Sequence, residues 1–226
     1  MSSLEALRWT GALIAWAIFL QAIELSLMPA HGMYRILNKT RAILAFFILV
    51  FCGSGAPVPL SLYGLLAVLS WVALWPWLGL FNGGSDAMGM MVMIALYAAG
   101  LGLPPEHALL WIACLSALSY FLSGVRKASQ QAWWNGRALR DFLKNSRVSV
   151  PGWACRFAEG ALPRIAGPGV VLFQLAMPAL LWSGAAPVAL LTGMVFHFLN
   201  FLFFGLNRFF WVWMATYPAF YFHCPR

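Results

Sequence analysis

Two long stretches of this chain carry no charge. Between Arg41 and Asp86 there are 44 residues without Asp, Glu, Lys or Arg, and 165–207 adds a second run of 43. A helix needs about 20 apolar residues to cross the hydrocarbon core of a bilayer, so each run is twice the length of one crossing. Each also has a knot of turn formers near its middle: Gly53-Ser54-Gly55-Ala56-Pro57 in the first, Ser183-Gly184-Ala185-Ala186-Pro187 in the second. Each run therefore reads as two helices folded back on each other. Hydrophobic residues make up 62% of the 226 and charged residues only 9%, against about 25% charged in a soluble domain. No aqueous core could hide that much apolar surface. The solvent is lipid.

The remaining charges punctuate the chain and let the spans be counted. Helix one is expected over 6–28, ended by Pro29-Ala30-His31-Gly32. Helices two and three are expected over 37–52 and 58–80. Helix four follows the tight connection Asn82-Gly83-Gly84-Ser85, runs over 86–103 and is stopped by Pro104-Pro105. Helix five covers 106–125. Residues 126–164 form the one long polar segment, with eight of the fourteen Lys and Arg residues. Within it, 138–144 has the pattern of a surface helix with Leu139, Phe142 and Leu143 toward lipid. Helices six and seven share 165–207, and 209–222 makes a short aromatic helix eight. The expected fold is all-α, a polytopic integral membrane helix bundle of seven or eight transmembrane helices. One membrane domain is expected over 1–226, with no soluble domain and no cleavable leader. The count is seven if helix two or eight only lies in the interface.

A net charge of +8 would suggest nucleic acid on a soluble protein. Here the basic residues lie between apolar runs, where they set topology and touch anionic lipid, so the bilayer is the expected partner and nucleic acid is not. The twelve tryptophans fit interfacial aromatic belts. With eight crossings, the loops after helices one, three, five and seven share a side and carry twelve of the fourteen basic residues, among them Arg35, Lys39, Arg41 and Arg208. Basic residues favour the cytoplasm, which puts these loops there and both termini outside, in the inner membrane of a bacterium. The four cysteines have no Cys-x-x-Cys spacing, so no metal site is expected.

Few polar residues fall where chemistry could be done. Glu24 lies at the rim of helix one, and Asp86 opens helix four, where a carboxylate also caps the amide dipoles. His197 stands midway along helix seven with Asn200 three residues on, hence on the same face. Both are costly to bury unless paired, and they serve equally as helix–helix glue or as a functional pair. Lys127 leaves helix five beside Arg126, with Trp133 and Gly136 close behind. An amine there either snorkels to headgroups or acts as a base. The basic role needs its proton to leave near neutral pH; a like charge next to it and partial desolvation both favour the neutral amine.

Gly124-Val125-Arg126-Lys127, followed by Trp133 and Gly136, resembles the Gly-Val-Lys-Lys…Trp-x-x-Gly stretch of vitamin K-dependent gamma-carboxylase. Phe196-His197-x-x-Asn200, Gly205, Phe209, Met214-Ala215, Pro218 and Pro225-Arg226 follow the carboxylase order F-H-x-x-N…G-x-x-x-F…M-A…P…P-R. Gly79–Met91 resembles the Asn-rich turn into a membrane helix there, with Gly84-Ser85-Asp86 standing where the carboxylase has Asn-His-Ser. The resemblance spans about Leu60 to the end and points to the horizontally transferred transmembrane (HTTM) domain family. It implies a lysine base that deprotonates a vitamin K-type hydroquinone, whose oxygenation drives carboxylation of glutamate. On this chain it implies Lys127 and His197 as catalytic residues, Asn200, Asp86 and Trp133 as quinone-binding residues, and a quinone as the cofactor. Two functions remain open: a quinone- or lipid-handling membrane enzyme, and a non-catalytic subunit packing against membrane protein partners or pigments in a larger complex.

Overall fold

The computed structural model describes residues 1–27, 32–59, 61–74, 84–144 and 152–224. The expected stop of helix one at 29–31, the far end of helix three, the connection at 82–83 and the closing Pro225-Arg226 lie outside them. Among the described residues the regular structure is entirely helical. Contacts divide the chain into two compact units, one of Met1–Cys114 with Trp211–His223, the other built on Leu115–Phe210.

The first unit holds α1 (Ser3–Leu27), α2 (Gly32–Ser54), α3 (Ser61–Leu74), α4 (Gly84–Gly100) and α12 (Tyr217–His223). Helix α1 is its centre and packs on α2, α4 and α12. Its buried positions, Ala6, Thr10, Ile14, Ala17, Ile18, Gln21 and Leu25, recur at helical spacing, while Trp9 and Leu27 point outward. The expected break after Cys52 is present: α2 stops at Ser54 and Gly55 takes a left-handed φ of 78°. Arg8, from the start of α1, donates from Nε to the Cys52 carbonyl at 2.6 Å and so satisfies one of the open carbonyls at the end of α2.

The start of α2 corrects the charge reading. The helix begins well before Leu37, so Arg35, Lys39 and Arg41 stand on it rather than in a loop. Arg35 and Lys39 are exposed, but Arg41 is completely buried. It turns inward because acceptors from three helices meet it. Nη2 donates to Gln21 Oε1 at 2.7 Å, Nη1 to Asn38 Oδ1 at 2.7 Å and Nε to Ser70 Oγ at 3.2 Å.

The second unit takes α5 (Pro105–Ala128) from Leu115 onward, then α6 (Gln131–Trp134), α7 (Arg137–Lys144), α8 (Gly152–Glu159), α9 (Leu162–Leu181) and α10 (Ala186–Phe204). Among its described residues the polar segment after Lys127 holds three short helices, with α7 and α8 packed on each other and on α9. On α7 Phe142 faces outward as expected, whereas Leu143 is buried against the protein.

Among the described residues five helices, α1, α2, α5, α9 and α10, are long and apolar enough to cross a membrane, and α3 and α4 are shorter apolar helices. The expected helix eight is two pieces, α11 (Asn207–Met214) and α12, separated at Ala215-Thr216. Thr216 Oγ1 bonds the Trp213 carbonyl at 2.8 Å, and Pro218 starts the next helix in the first turn, where its missing N–H costs nothing. Large apolar side chains such as Ile43, Phe47, Val68, Trp111, Leu172 and Val188 lie exposed on these helices, the pattern of a chain whose solvent is hydrocarbon.

Candidate functional site

Lys127 occupies the last turn of α5. Its Nζ donates to Ser123 Oγ, one turn back, at 2.6 Å and stands 5.2 Å from the centre of the Trp133 ring. The amine is half-buried rather than extended into solvent. Among the described residues its charged neighbour is Arg126, and no carboxylate offsets it. An ammonium over an indole face is attracted by the ring quadrupole, so the lysine is held by an aromatic surface instead of a counter-ion.

Trp133 is held in turn. Trp134 Nε1 bonds the Ala128 carbonyl at 2.8 Å, which folds α6 back onto the end of α5. Gly136 has a left-handed φ of 75°, and a Cβ on it would strike the Pro163 backbone. Gly167 on α9 lies against the Trp133 carbonyl, again with no room for a side chain. The Trp-x-x-Gly spacing is therefore a packing device that places the indole under the amine.

Higher on α5, Tyr120 is buried on the face that carries Ser123, Gly124 and Lys127. Seven residues separate Tyr120 from Lys127, two helical turns or about 10 Å of rise. Its hydroxyl is hydrogen-bonded to His197 Nε2. His197 is buried on α10 among aromatic rings, with centroids at 5.6 Å for Tyr120, 5.1 Å for Phe196 and 5.0 Å for Phe209. Phe209 reaches it because Gly205 ends α10 at φ 64°, its N–H bonding the Phe201 carbonyl at 2.9 Å, so the chain turns back at once. Asn200 bonds its own helix instead, donating from Nδ2 to the Phe196 carbonyl at 2.7 Å.

Lys127 and Trp133 are therefore in contact, and Tyr120 joins the α5 face of Lys127 to His197. Asp86 belongs to the other unit, where its carboxylate accepts from Gln21 Nε2 at 2.8 Å. Reading the sequence overlooked Tyr120 and Ser123, although their spacing of seven and four residues before Lys127 marks them as neighbours on one helical face.

The helices and their exposed apolar surface define an integral membrane protein with a cationic and imidazole-bearing aromatic site. The family model of the HTTM domain matches residues 104–223. The chain belongs to the HTTM domain family. No curated protein matches it, and no solved structure does.

Proposed function

We propose that this chain is a carboxylase-like membrane protein that handles a quinone or a lipid, with Lys127 as a base at the rim of the site. The observation that carries the reading is the state of that amine: half-buried, with no carboxylate beside it among the described residues, held by Ser123 and Trp133 on the face that leads to Tyr120 and His197. A purely snorkelling lysine would reach away from the protein. The donor set fits an aromatic ring with an ionisable hydroxyl, since amine, imidazole, phenol and several ring faces lie within one unit. A reduced naphthoquinone supplies an acidic hydroxyl and, once ionised, reactivity toward oxygen. Lys127 accepts the proton at Nζ; Ser123 steadies the amine; Tyr120 fixes the orientation of the His197 ring. The basic segment 126–164 and with it Lys127 are assigned to the cytoplasmic face of a bacterial inner membrane. The segment carries eight of the fourteen Lys and Arg residues, and basic residues favour that side.

The test is consumption of oxygen and of the reduced quinone by the purified protein in lipid nanodiscs. Lys127→Ala should abolish both while the yield of folded protein stays unchanged. A second reading, a non-catalytic subunit in a membrane complex, draws on α10, which buries little more than Ala186, Ala189, Gly193 and His197 and leaves Val188, Leu191 and Phe198 outward for a partner. Quinone consumption that survives Lys127→Ala would remove the base assignment. A wild-type protein that turns over nothing would favour the subunit.

A further inference from the structure

Gln174 sits near the middle of α9, 5% exposed, and among the described residues its Oε1 has no hydrogen-bond partner. Buried side-chain acceptors are seldom left unpaired, and in a helix surrounded by hydrocarbon there is no bulk water to relieve one. Leucine or methionine would fill the same space without that penalty.

The neighbours of Gln174 define where it stands. α9 buries Gly167, Val171, Gln174, Met177 and Leu181 along one face. Gly167 lies against Trp133, and Gln174 is two turns further along, about 10 Å. On either side of it in sequence, Phe173 packs on Tyr120 at 5.9 Å and on Phe196 at 5.3 Å, while the Leu175 amide nitrogen comes within 2.9 Å of where a Gly124 Cβ would be. The level of Gln174 is thus that of Gly124 and Tyr120. It shares the buried face of α9 with Gly167 and stands level with the stretch of α5 that runs from Lys127 to the hydroxyl bonded to His197.

We propose that Gln174 is a ligand-binding residue of this site, its carboxamide hydrogen-bonding a ring oxygen of a bound quinone or quinol. The inference rests on the quinone reading above. A carboxamide suits such a ligand because it accepts from a hydroxyl at Oε1 and donates to a carbonyl from Nε2, so one side chain serves both oxidation states.

The test uses full-length protein in nanodiscs, Gln174→Leu and Gln174→Met, and 2-methyl-1,4-naphthoquinone as the probe. Tryptophan quenching reads binding and thermal unfolding reads the fold. Without the probe, both variants should unfold at the wild-type temperature or roughly 2–4 °C above it, because an unpaired polar group has been removed. With the probe, both should bind at least about tenfold more weakly than wild type, the loss of one buried hydrogen bond. Variants that bind as well as wild type overturn the role of Gln174 and leave the quinone reading standing. Variants that unfold several degrees lower show that the amide has a structural partner, which also overturns it. A wild-type protein that does not bind the probe removes the quinone reading itself.

Discussion

Arg41 offers the sharpest test of how the first unit is held together. It is completely buried, and so are two of its acceptors, Asn38 and Ser70; Gln21 is 3% exposed. In Arg41→Leu the carbonyl oxygens of Gln21 and Asn38 each lose a guanidinium donor at 2.7 Å. Neither can turn to water. An orphaned buried acceptor costs about 1–3 kcal/mol, so these two together cost roughly 2–6 kcal/mol. The Ser70 contact, at 3.2 Å, adds less, since a hydroxyl can rotate to another acceptor. Against this, the variant no longer has to desolvate a guanidinium. Removing one member of a buried charged network nets about 3–5 kcal/mol of destabilisation, a large share of a folding free energy of about 5–15 kcal/mol. The assay is unfolding of the purified protein in defined lipid, by heat or by SDS titration. A triple variant, Arg41→Leu with Gln21→Leu and Asn38→Leu, should recover much of the loss, because a wholly apolar contact leaves nothing unpaired. If Arg41→Leu unfolds together with wild type, the guanidinium is not organising these helices and the reasoning is wrong.

Two further substitutions probe the second unit. Gly136→Ala imposes a left-handed φ on a residue with a Cβ and drives that Cβ into the Pro163 backbone; it should cost roughly 2–4 kcal/mol in the same unfolding measurement. Tyr120→Phe removes the hydroxyl that His197 Nε2 meets while keeping the ring against Phe173; a loss of about 1–3 kcal/mol is expected, with little change in fold by circular dichroism.

Much of this architecture can be read from the chain. The two uncharged runs break where Gly55 and Ser183 predict, since a crossing of fixed length and a cluster of turn formers leave little choice. The motif glycines are legible for a different reason. Gly136 and Gly205 each take a left-handed φ that other residues resist, so a glycine at a fixed distance from a tryptophan or a histidine carries geometric content. The single helix expected over 209–222 is broken at Ala215-Thr216, because Pro218 has no N–H to give the Met214 carbonyl and serves instead in the first turn of α12. There the threonine hydroxyl bonding back to Trp213 takes the place of a helical partner.

The polar clusters were hidden by the way charges are used to read a membrane sequence. Arginine at a helix margin counts as punctuation, and nothing local distinguishes Arg41 from Arg35 or Lys39. The difference lies in Gln21, Asn38 and Ser70, uncharged residues on three helices whose acceptors converge only after folding. Asp86 shows the same effect from the other side. At the start of α4 it reads as a cap or as part of a binding turn, yet it accepts from the Gln21 amide whose oxygen accepts the hydrogen bond of Arg41 Nη2. The carboxamide therefore relays between a buried cation and a carboxylate, which lowers the cost of keeping that cation out of water. A polar residue within an apolar helix is best read together with the acceptors and donors it needs. By that rule Gln21 finds its partners inside the chain, and Gln174, whose oxygen finds none among the described residues and which stands at the level of Tyr120, is a place to search for a ligand.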